Sequence, residues 1–430
     1  MPKGLNISLE KGKKRIVIIG GGFAGLKLAR KINGDDYQVV LLDKNNFHQF
    51  QPLLYQVSTS GLEPSAIAFP FRKIFQDKKD FHFRTASALS VNPEKNELET
   101  SIGSINYDYL VIATGSDTNY FNLQKLQDVT MSLKSISEAL HARNVILNNW
   151  EQALNEDNHK DQAKDLSVVI VGGGPTGVEL AGTLAEMKKF ILPKDYPELD
   201  FHDMKIYLVE AGDRLLASMS SFASVYAKKQ LEKLGVTCML STTVLGYEDE
   251  KVILKDKESI ATKNVLWVAG IKGNSLQGLP ESSYGKGNRV IVNEFNQASG
   301  STNIFVIGDT AIMSTEKFPN GHPQVAPVAI QQAQNLAKNF KRLKKNKPLL
   351  PFNYFNKGAL ATVGRNKAVV DLPFLKLTGF FAWIIWLFVH LMSIVGGKNK
   401  LFIFLGWSMN YFTRDPSLRV LIKPKETDRR

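Results

Sequence analysis

RIVIIGGGFAGLKLAR, residues 15–30, decides the fold. An apolar, β-branched run enters a glycine turn and leaves as an alternation of helical period, which predicts strand, tight turn and helix in succession. The same pattern returns as SVVIVGGGPTGVELAG at 167–182, so that Gly20 recurs as Gly172, 152 residues later. One glycine fingerprint is weak evidence, but two copies in the right context are strong. In the first copy Gly20, Gly22 and Gly25 provide the tight turn, the close approach of backbone to a pyrophosphate and the close helix–strand packing. Gly172, Gly174 and Gly177 do so in the second. The N–H groups at each helix start would face the phosphates, with the positive end of the helix dipole behind them. Each copy then runs into a strand ending in an acid, QVVLLD at Asp43 and KIYLVE at Glu210, placed to accept from a ribose hydroxyl. The expected fold class is α/β, with two Rossmann-like dinucleotide-binding domains.

Two dinucleotide sites in one chain imply a division of labour, a resident flavin in one and a nicotinamide that reduces it in the other. YDYLVIATG (107–115) and NIFVIGD (303–309) are two further strands with informative ends. In these the chain resembles the flavoproteins with two dinucleotide-binding domains, where an ATG strand end crosses between domains and the Asp of a GD pair contacts the ribityl–pyrophosphate part of FAD. That resemblance assigns FAD to Gly20, Gly22, Phe23, Ala24, Gly25, Asp43, Lys44, Ala113, Thr114, Gly115, Gly308 and Asp309. NADH goes to Gly172, Gly174, Pro175, Thr176, Gly177, Glu210 and the Ala269–Gly270 strand end. A carboxylate at Glu210 suits the free 2′-hydroxyl of NADH and repels the phosphate of NADPH, although Arg214 lies close by in sequence. Glu179, two residues past the last glycine, is expected either to favour the helix dipole or to lie beside the nicotinamide as a catalytic group.

The single cysteine, Cys238, excludes a disulfide scaffold, a CxxC redox pair and a Cys-based zinc site, and it reads as a buried strand residue. It also counts against disulfide reductases and sulfide:quinone reductases within that superfamily. From about residue 14 to 421 the chain resembles type II NADH:quinone oxidoreductases. NNFHQFQPLLYQVSTSGLEP (45–64) is similar to their flavin-flanking segment, and PQVAPVAIQQAQNLAKNF (323–340) to their quinone-site motif, AQxAxQ. Ala326, Val328, Ala329 and Gln331 fall on that pattern. Pro327 replaces its first glutamine, while Gln331 and Gln332 retain amides. The resemblance implies flavin contacts at Val328 and Ala329 and catalytic roles for Gln331, Lys376 and Glu179. His48 and Tyr55 are candidates to line the same cavity.

The 430 residues carry a net charge of +13, unevenly placed. Residues 338–430 hold 18 Lys/Arg against four acids, and the remainder is nearly neutral. Nucleic acid is not the expected partner, because the basic stretch is also the most apolar and aromatic one. LTGFFAWIIWLFVHLMSIVGG (377–397) and LFIFLGWSMNYF (401–412) read as two helices lying in one leaflet, with Trp383, Trp386, Trp407 and Tyr411 at headgroup level. The N-terminus lacks the apolar core of a secretory signal. The expected organisation is an FAD domain at 13–125 and 276–345, an NADH domain at 126–275 and a membrane-association region at 346–430. Function follows as electron transfer from NADH through FAD to a membrane quinone, without a metal and without proton pumping. A homodimer peripheral on the cytoplasmic face of the inner or plasma membrane is expected. The rival is a soluble NADH-dependent reductase of a ferredoxin-like protein.

Overall fold

The computed structural model describes residues 4–415 and 418–421. In chain order the principal elements begin with β1 (Lys14–Ile19), α1 (Phe23–Lys31), β2 (Tyr37–Asp43), α2 (Leu54–Ser58), β3 (Phe81–Thr85) and β4 (Tyr109–Ile112). They continue with α3 (Ile136–Ala153), α4 (His159–Leu166), β5 (Val168–Val171), α5 (Pro175–Phe190), β6 (Ile206–Val209), α6 (Ser221–Lys233), β7 (Val236–Met239) and β8 (Asn264–Trp267). Next come β9 (Ile304–Val306), α7 (Ala326–Lys344) and the strands β10 (Ala359–Thr362), β11 (Ala368–Asp371) and β12 (Lys376–Gly379). Helices α8 (Phe380–Ser393) and α9 (Gly397–Thr413) follow.

Two compact units result. The first comprises Met1–Gln49, Ala68–Asp117 and Ile271–Asn356. Its sheet is parallel, in the order β9-β4-β1-β2-β3. Every residue of β1 after Lys14 is buried, as a central parallel strand covered on both faces requires. Val17, Ile19, Leu42, Leu110, Ile112 and Val306 from its strands form one core. Helix α7 packs along α1 with the stripe Val328, Ala329, Gln332, Ala333, Leu336, Ala337 and Phe340 turned inward.

The second unit comprises Phe50–Ile67, Thr118–Gly270 and Lys357–Arg430. Its parallel sheet runs β7-β6-β5-β8, with all four residues of β5 buried. The polar stretch before it is two helices. Ser135 caps α3 by accepting from the Glu138 N–H while its hydroxyl bonds the Glu138 carboxylate, and Asn158 caps α4. Cys238 lies on β7 but is half-buried, because β7 is an edge strand of this sheet. Burial pushes its thiol up to about 11, as suits an unreactive residue.

These units cut the chain differently from the boundaries read in the sequence. Residues 50–67, expected within the FAD domain, belong to the second unit because α2 packs on α3 and α5. The C-terminal region also joins that unit: β10, β11 and β12 form an antiparallel sheet whose first strand lies on α5. Added to Gly182 of α5, a Cβ would come within 2.7 Å of the Gly364 nitrogen, so only glycine permits this approach.

Helices α8 and α9 have 14 and 17 residues, about 21 and 26 Å at 1.5 Å per residue. No helix among the described residues is long and apolar enough to cross a membrane. Their outer sides are apolar: Phe381 is 75% exposed, Phe388 63%, Met409 65% and Phe412 83%. Trp386, expected at headgroup level, instead points inward at 1% exposure, stacked 3.9 Å from the His390 ring. Helical period places it on the face opposite Phe388.

Candidate functional site

The two glycine loops are built alike, each within its own unit. Gly20 and Gly172 have φ of +95° and +115°, and a Cβ there would come within 2.3 Å of the Ala113 carbonyl oxygen and 2.8 Å of the Ala269 backbone. At Gly25 and Gly177 a Cβ would lie 1.8 and 1.9 Å from the carbonyl oxygens of Gly20 and Gly172. Both loops therefore accept only glycine at these points. The acids clamp the same place in each copy. Asp43 accepts from the Gly21 N–H (2.6 Å) and the Asn45 N–H (2.7 Å), while Glu210 accepts from Gly173 (2.6 Å) and Gly212 (2.7 Å). Each carboxylate oxygen keeps a second lone pair for a ribose hydroxyl. The middle carbonyl is held too, by the backbone N–H of Leu216 on Gly173 and by the His48 ring Nδ1 on Gly21, 2.9 Å away. His48 is buried, which lowers its pKa to about 4, so the ring is neutral and donates from Nδ1.

A dinucleotide fits these loops. Among the described residues no side chain caps the N-terminus of α1 or α5, and neither helix has an acid in its first turn. A Cβ at Gly22 or Gly174 would meet nothing within 4 Å, leaving room for a pyrophosphate at the helix starts. Phe23 and Lys44 flank the first loop, and Pro175 and Thr176 open the second, both exposed.

Within the first unit the ATG and GD strand ends are tied together. Thr114 Oγ1 lies 2.9 Å from Thr310 Oγ1, Thr310 donates to the Gly115 carbonyl (2.7 Å), and Ser116 donates to the Asp309 carboxylate (2.7 Å). Asn274 closes the cluster by donating to the Thr114 carbonyl. Gly308 fits between Ala24 and Ala329, whose Cβ atoms would be 3.4 and 3.6 Å from an added Cβ. Its N–H donates to Gln332 Oε1 at 2.7 Å, and Gln332 is 1% exposed.

Gln331, the expected catalytic amide, is placed elsewhere. Its Nε2 donates to the Phe355 carbonyl (2.9 Å) and its Oε1 accepts from the Phe355 N–H (3.0 Å), a backbone clamp on the exposed side of α7. Residue 332, not 331, continues the buried stripe that begins at Val328, and helical period alone distinguishes them. Lys376 is exposed at the start of β12, paired across the hairpin with Asp371.

Glu179 is buried in the second unit, at 7% exposure. On one face of α5, Glu179, Gly182 and Glu186 meet Thr362, Gly364 and Arg365 in that order. The Thr362 N–H donates to Glu179 Oε1 (3.3 Å), the glycines touch, and the Arg365 N–H donates to Glu186 (2.5 Å). Burial pushes Glu179 up to about 8, against the opposing pull of the Thr362 N–H. Tyr55, 4% exposed, lies 3.3 Å from the Thr362 hydroxyl; burial, then the Glu179 charge, raises its pKa. Thr362 carries no motif, and the sequence does not single it out; there Trp386 reads only as a headgroup-level aromatic, and Gln332 only as an amide retained beside Gln331.

The family model described as pyridine nucleotide-disulphide oxidoreductase matches residues 14–333, and the NDH2 C-terminal domain matches 356–415. The type II NADH:quinone oxidoreductase Ndh of Mycobacterium tuberculosis is 32% identical over 416 residues, covering 93% of this chain and 89% of that protein. NdhA of the same organism is 30% identical over 420 residues, covering 94% and 88%. The structure of NDH2 from Plasmodium falciparum in complex with NADH superposes with a TM-score of 0.87 at 21% identity, over 96% of this chain and 100% of that one. A sulfide:quinone oxidoreductase from Aquifex aeolicus shares the fold at a TM-score of 0.68 and 19% identity. With both nucleotide loops inside the first match and the apolar helices inside the second, the chain belongs to the type II NADH:quinone oxidoreductases.

Proposed function

We propose that this protein is a membrane-associated flavoenzyme that oxidises NADH and reduces a membrane quinone through FAD, without pumping protons. The observation that carries the reading is the union, in one chain, of two uncapped glycine-loop helix starts with a C-terminal pair of short helices whose outer face is apolar. When bound, FAD supplies the two-electron chemistry that links a hydride donor to a quinone. The chain supplies binding and orientation. The α1 N–H groups and Gly22 would hold the FAD pyrophosphate, Asp43 its ribose, and Asp309, fixed by Ser116, its ribityl–pyrophosphate part. The α5 N–H groups and Gly174 hold the NADH pyrophosphate, with Glu210 on the ribose. Ala269 and Gly270 border this site at the end of β8.

Reduction of a quinone to a quinol takes up two protons. Glu179 is the group we assign to hold a proton for this step, since burial keeps it protonated at neutral pH. The Gln331 clamp favours a structural part for that residue. Lys376, near the 84% exposed Phe374, suits a lipid headgroup phosphate.

The exposed apolar sides of α8 and α9 would enter the headgroup–acyl boundary, with the surrounding lysines and arginines on anionic lipid. Attachment at the cytoplasmic face and a homodimer complete the proposal. A protein acceptor of the ferredoxin kind is less well matched, because this face is apolar and not charged. The test is anaerobic stopped-flow at the flavin band. NADH should bleach the purified protein within the turnover time and a short-chain quinone should restore the colour. Bleaching without restoration by quinone would overturn the acceptor assignment, and the absence of any flavin binding would overturn the whole.

A further inference from the structure

We propose that Arg289 is a positioning residue for FAD, whose guanidinium fixes the turn that carries Asp309 by bridging two backbone carbonyls on either side of it. The inference rests on the first unit being the FAD site. Arg289 Nε donates to the Ala311 carbonyl at 2.9 Å, and Nη2 donates to the same oxygen. Nη2 also donates to the His322 carbonyl at 3.0 Å. These residues, like Asp309 and the ATG strand end, all belong to the first unit.

Residues 308–311 are held one by one, each from a different part of the chain. The Gly308 N–H donates to Gln332 of α7, and the Asp309 carbonyl accepts from Gln324 Nε2 at 3.0 Å. The Thr310 hydroxyl donates to Gly115, and the Ala311 carbonyl takes the two donors of Arg289. Of these four anchors Arg289 alone is charged, and a charged donor makes the stronger bond. It acts where the backbone is least constrained. The short strand Arg289–Ile291 pairs in parallel with Ala311–Ile312 over two residue pairs only, Val290 with Ala311 and Ile291 with Ile312. So short a ladder is weak, and the paired donors on the Ala311 oxygen fix its register.

The bond to His322 joins this turn to the loop 313–325, which carries Gln324 two residues further on. Gly321 brings that loop against the guanidinium: at φ +83°, a Cβ there would come within 2.6 Å of the Ile312 side chain and 3.4 Å of Arg289 Nη1. The His322 ring packs independently against Phe318, Phe352 and Tyr354, so the loop has a place without Arg289. What the guanidinium adds is the spacing between the Ala311 and His322 carbonyls. Without it Asp309 loses a fixed neighbour at Ala311 directly, and the setting of Gln324 through the loop.

Arg15 provides a matched comparison in the same unit. It is 8% exposed against 7% for Arg289, and it donates to Gln38 Oε1 (2.6 Å) and to the carbonyls of Asn106 (3.2 Å) and Ile7 (2.7 Å). It lies, however, at the end of β1 away from the Gly20 loop and makes no bond to residues 308–311.

The test titrates FAD into full-length apoproteins by fluorescence, records the visible circular dichroism of the bound flavin, and measures apoprotein melting alongside. Arg289→Met should weaken FAD binding by about tenfold or more, the worth of a hydrogen bond to a charged group, and change the dichroism. Arg15→Met should lower the melting temperature comparably yet keep the affinity within about twofold and the dichroism unchanged. Arg289→Lys, which retains the charge without the planar pair of donors, should recover only part of the loss. Gln324→Leu should cost roughly threefold by itself and less in the Arg289→Met background, where the loop is already released.

Equal losses of affinity in Arg289→Met and Arg15→Met would overturn the proposal, as would Arg289→Met binding FAD like the wild type or adding fully to Gln324→Leu. If Arg289→Met does not fold, Arg289→Lys set against Arg15→Lys still decides by the same comparison. A wild-type protein that binds no FAD would instead overturn the reading of the site itself.

Discussion

Replacing Glu179 by glutamine should abolish a pH dependence of stability that the wild-type protein carries. Burial raises this carboxyl from 4.5 to about 8 in the folded protein. Between those values the folded chain retains a proton that the unfolded chain has released, so stability must fall as pH rises through the window. At 1.36 kcal/mol per pH unit the full effect has a ceiling of about 5 kcal/mol, and partial hydration of the ionised form would bring it to roughly half. Glutamine has no charge to acquire. The difference in melting temperature between Glu179→Gln and wild type should therefore be near zero at pH 5, grow through neutrality and level off above about pH 8. At about 2 °C per kcal/mol for a folding unit of some two hundred residues, the plateau is a gain of about 5 °C or more. Scanning calorimetry of both proteins in matched buffers from pH 5 to 9 gives the curve, and every other titrating group cancels in the difference. A flat difference, or one that favours the variant at acid pH, would refute the burial argument.

Gly25→Ala should yield protein with little flavin, because its Cβ would lie 1.8 Å from the Gly20 carbonyl oxygen, a clash of several kcal/mol; flavin content per chain after purification measures this. Gln332→Leu should weaken FAD binding by roughly tenfold by orphaning the buried Gly308 N–H, whereas Gln331→Leu should leave it within about twofold; fluorescence titration of the apoproteins compares them. The pair Phe381→Ser and Phe388→Ser should lower partitioning onto anionic vesicles by about a hundredfold, at some 1.5 kcal/mol or more per withdrawn ring, as read by flotation. Glu210→Ala should narrow the preference for NADH over NADPH, seen as a changed ratio of kcat/KM for the two.

Both sheets were legible because a central parallel strand is apolar throughout and a glycine loop has no substitute; residues 15–30 and 167–182 announce themselves. So were the clamping acids, whose place is set by the length of one helix and one strand. The route of residues 50–67 was not legible. PLLYQVSTSG is apolar enough for either unit, and what draws it to the second is contact with helices more than 80 residues away. Glu179 could be named from its distance to the last glycine, but its enclosure depends on a hairpin near residue 362 that carries no motif. The clue on α5 was the spacing of Glu179, Gly182 and Glu186, one face of a helix with a glycine in its middle. Alignment to a family pattern points to Gln331, whereas the period of the apolar stripe points to Gln332.

The second unit is assembled from three separated stretches, 50–67, 118–270 and 357–430. Synthesis from the N-terminus therefore completes its sheet, at Trp267, long before it delivers the hairpin that roofs Glu179. A nascent chain that has reached residue 356 holds every strand of both parallel sheets, yet it lacks the Thr362 N–H that bonds Glu179. The apolar helices arrive last among the described elements, when there is already a folded surface for their inner sides to meet. Chain order thus keeps the aromatic face hidden from chaperones and aggregation for most of translation, and makes closure over Glu179 and readiness for the membrane a single late event.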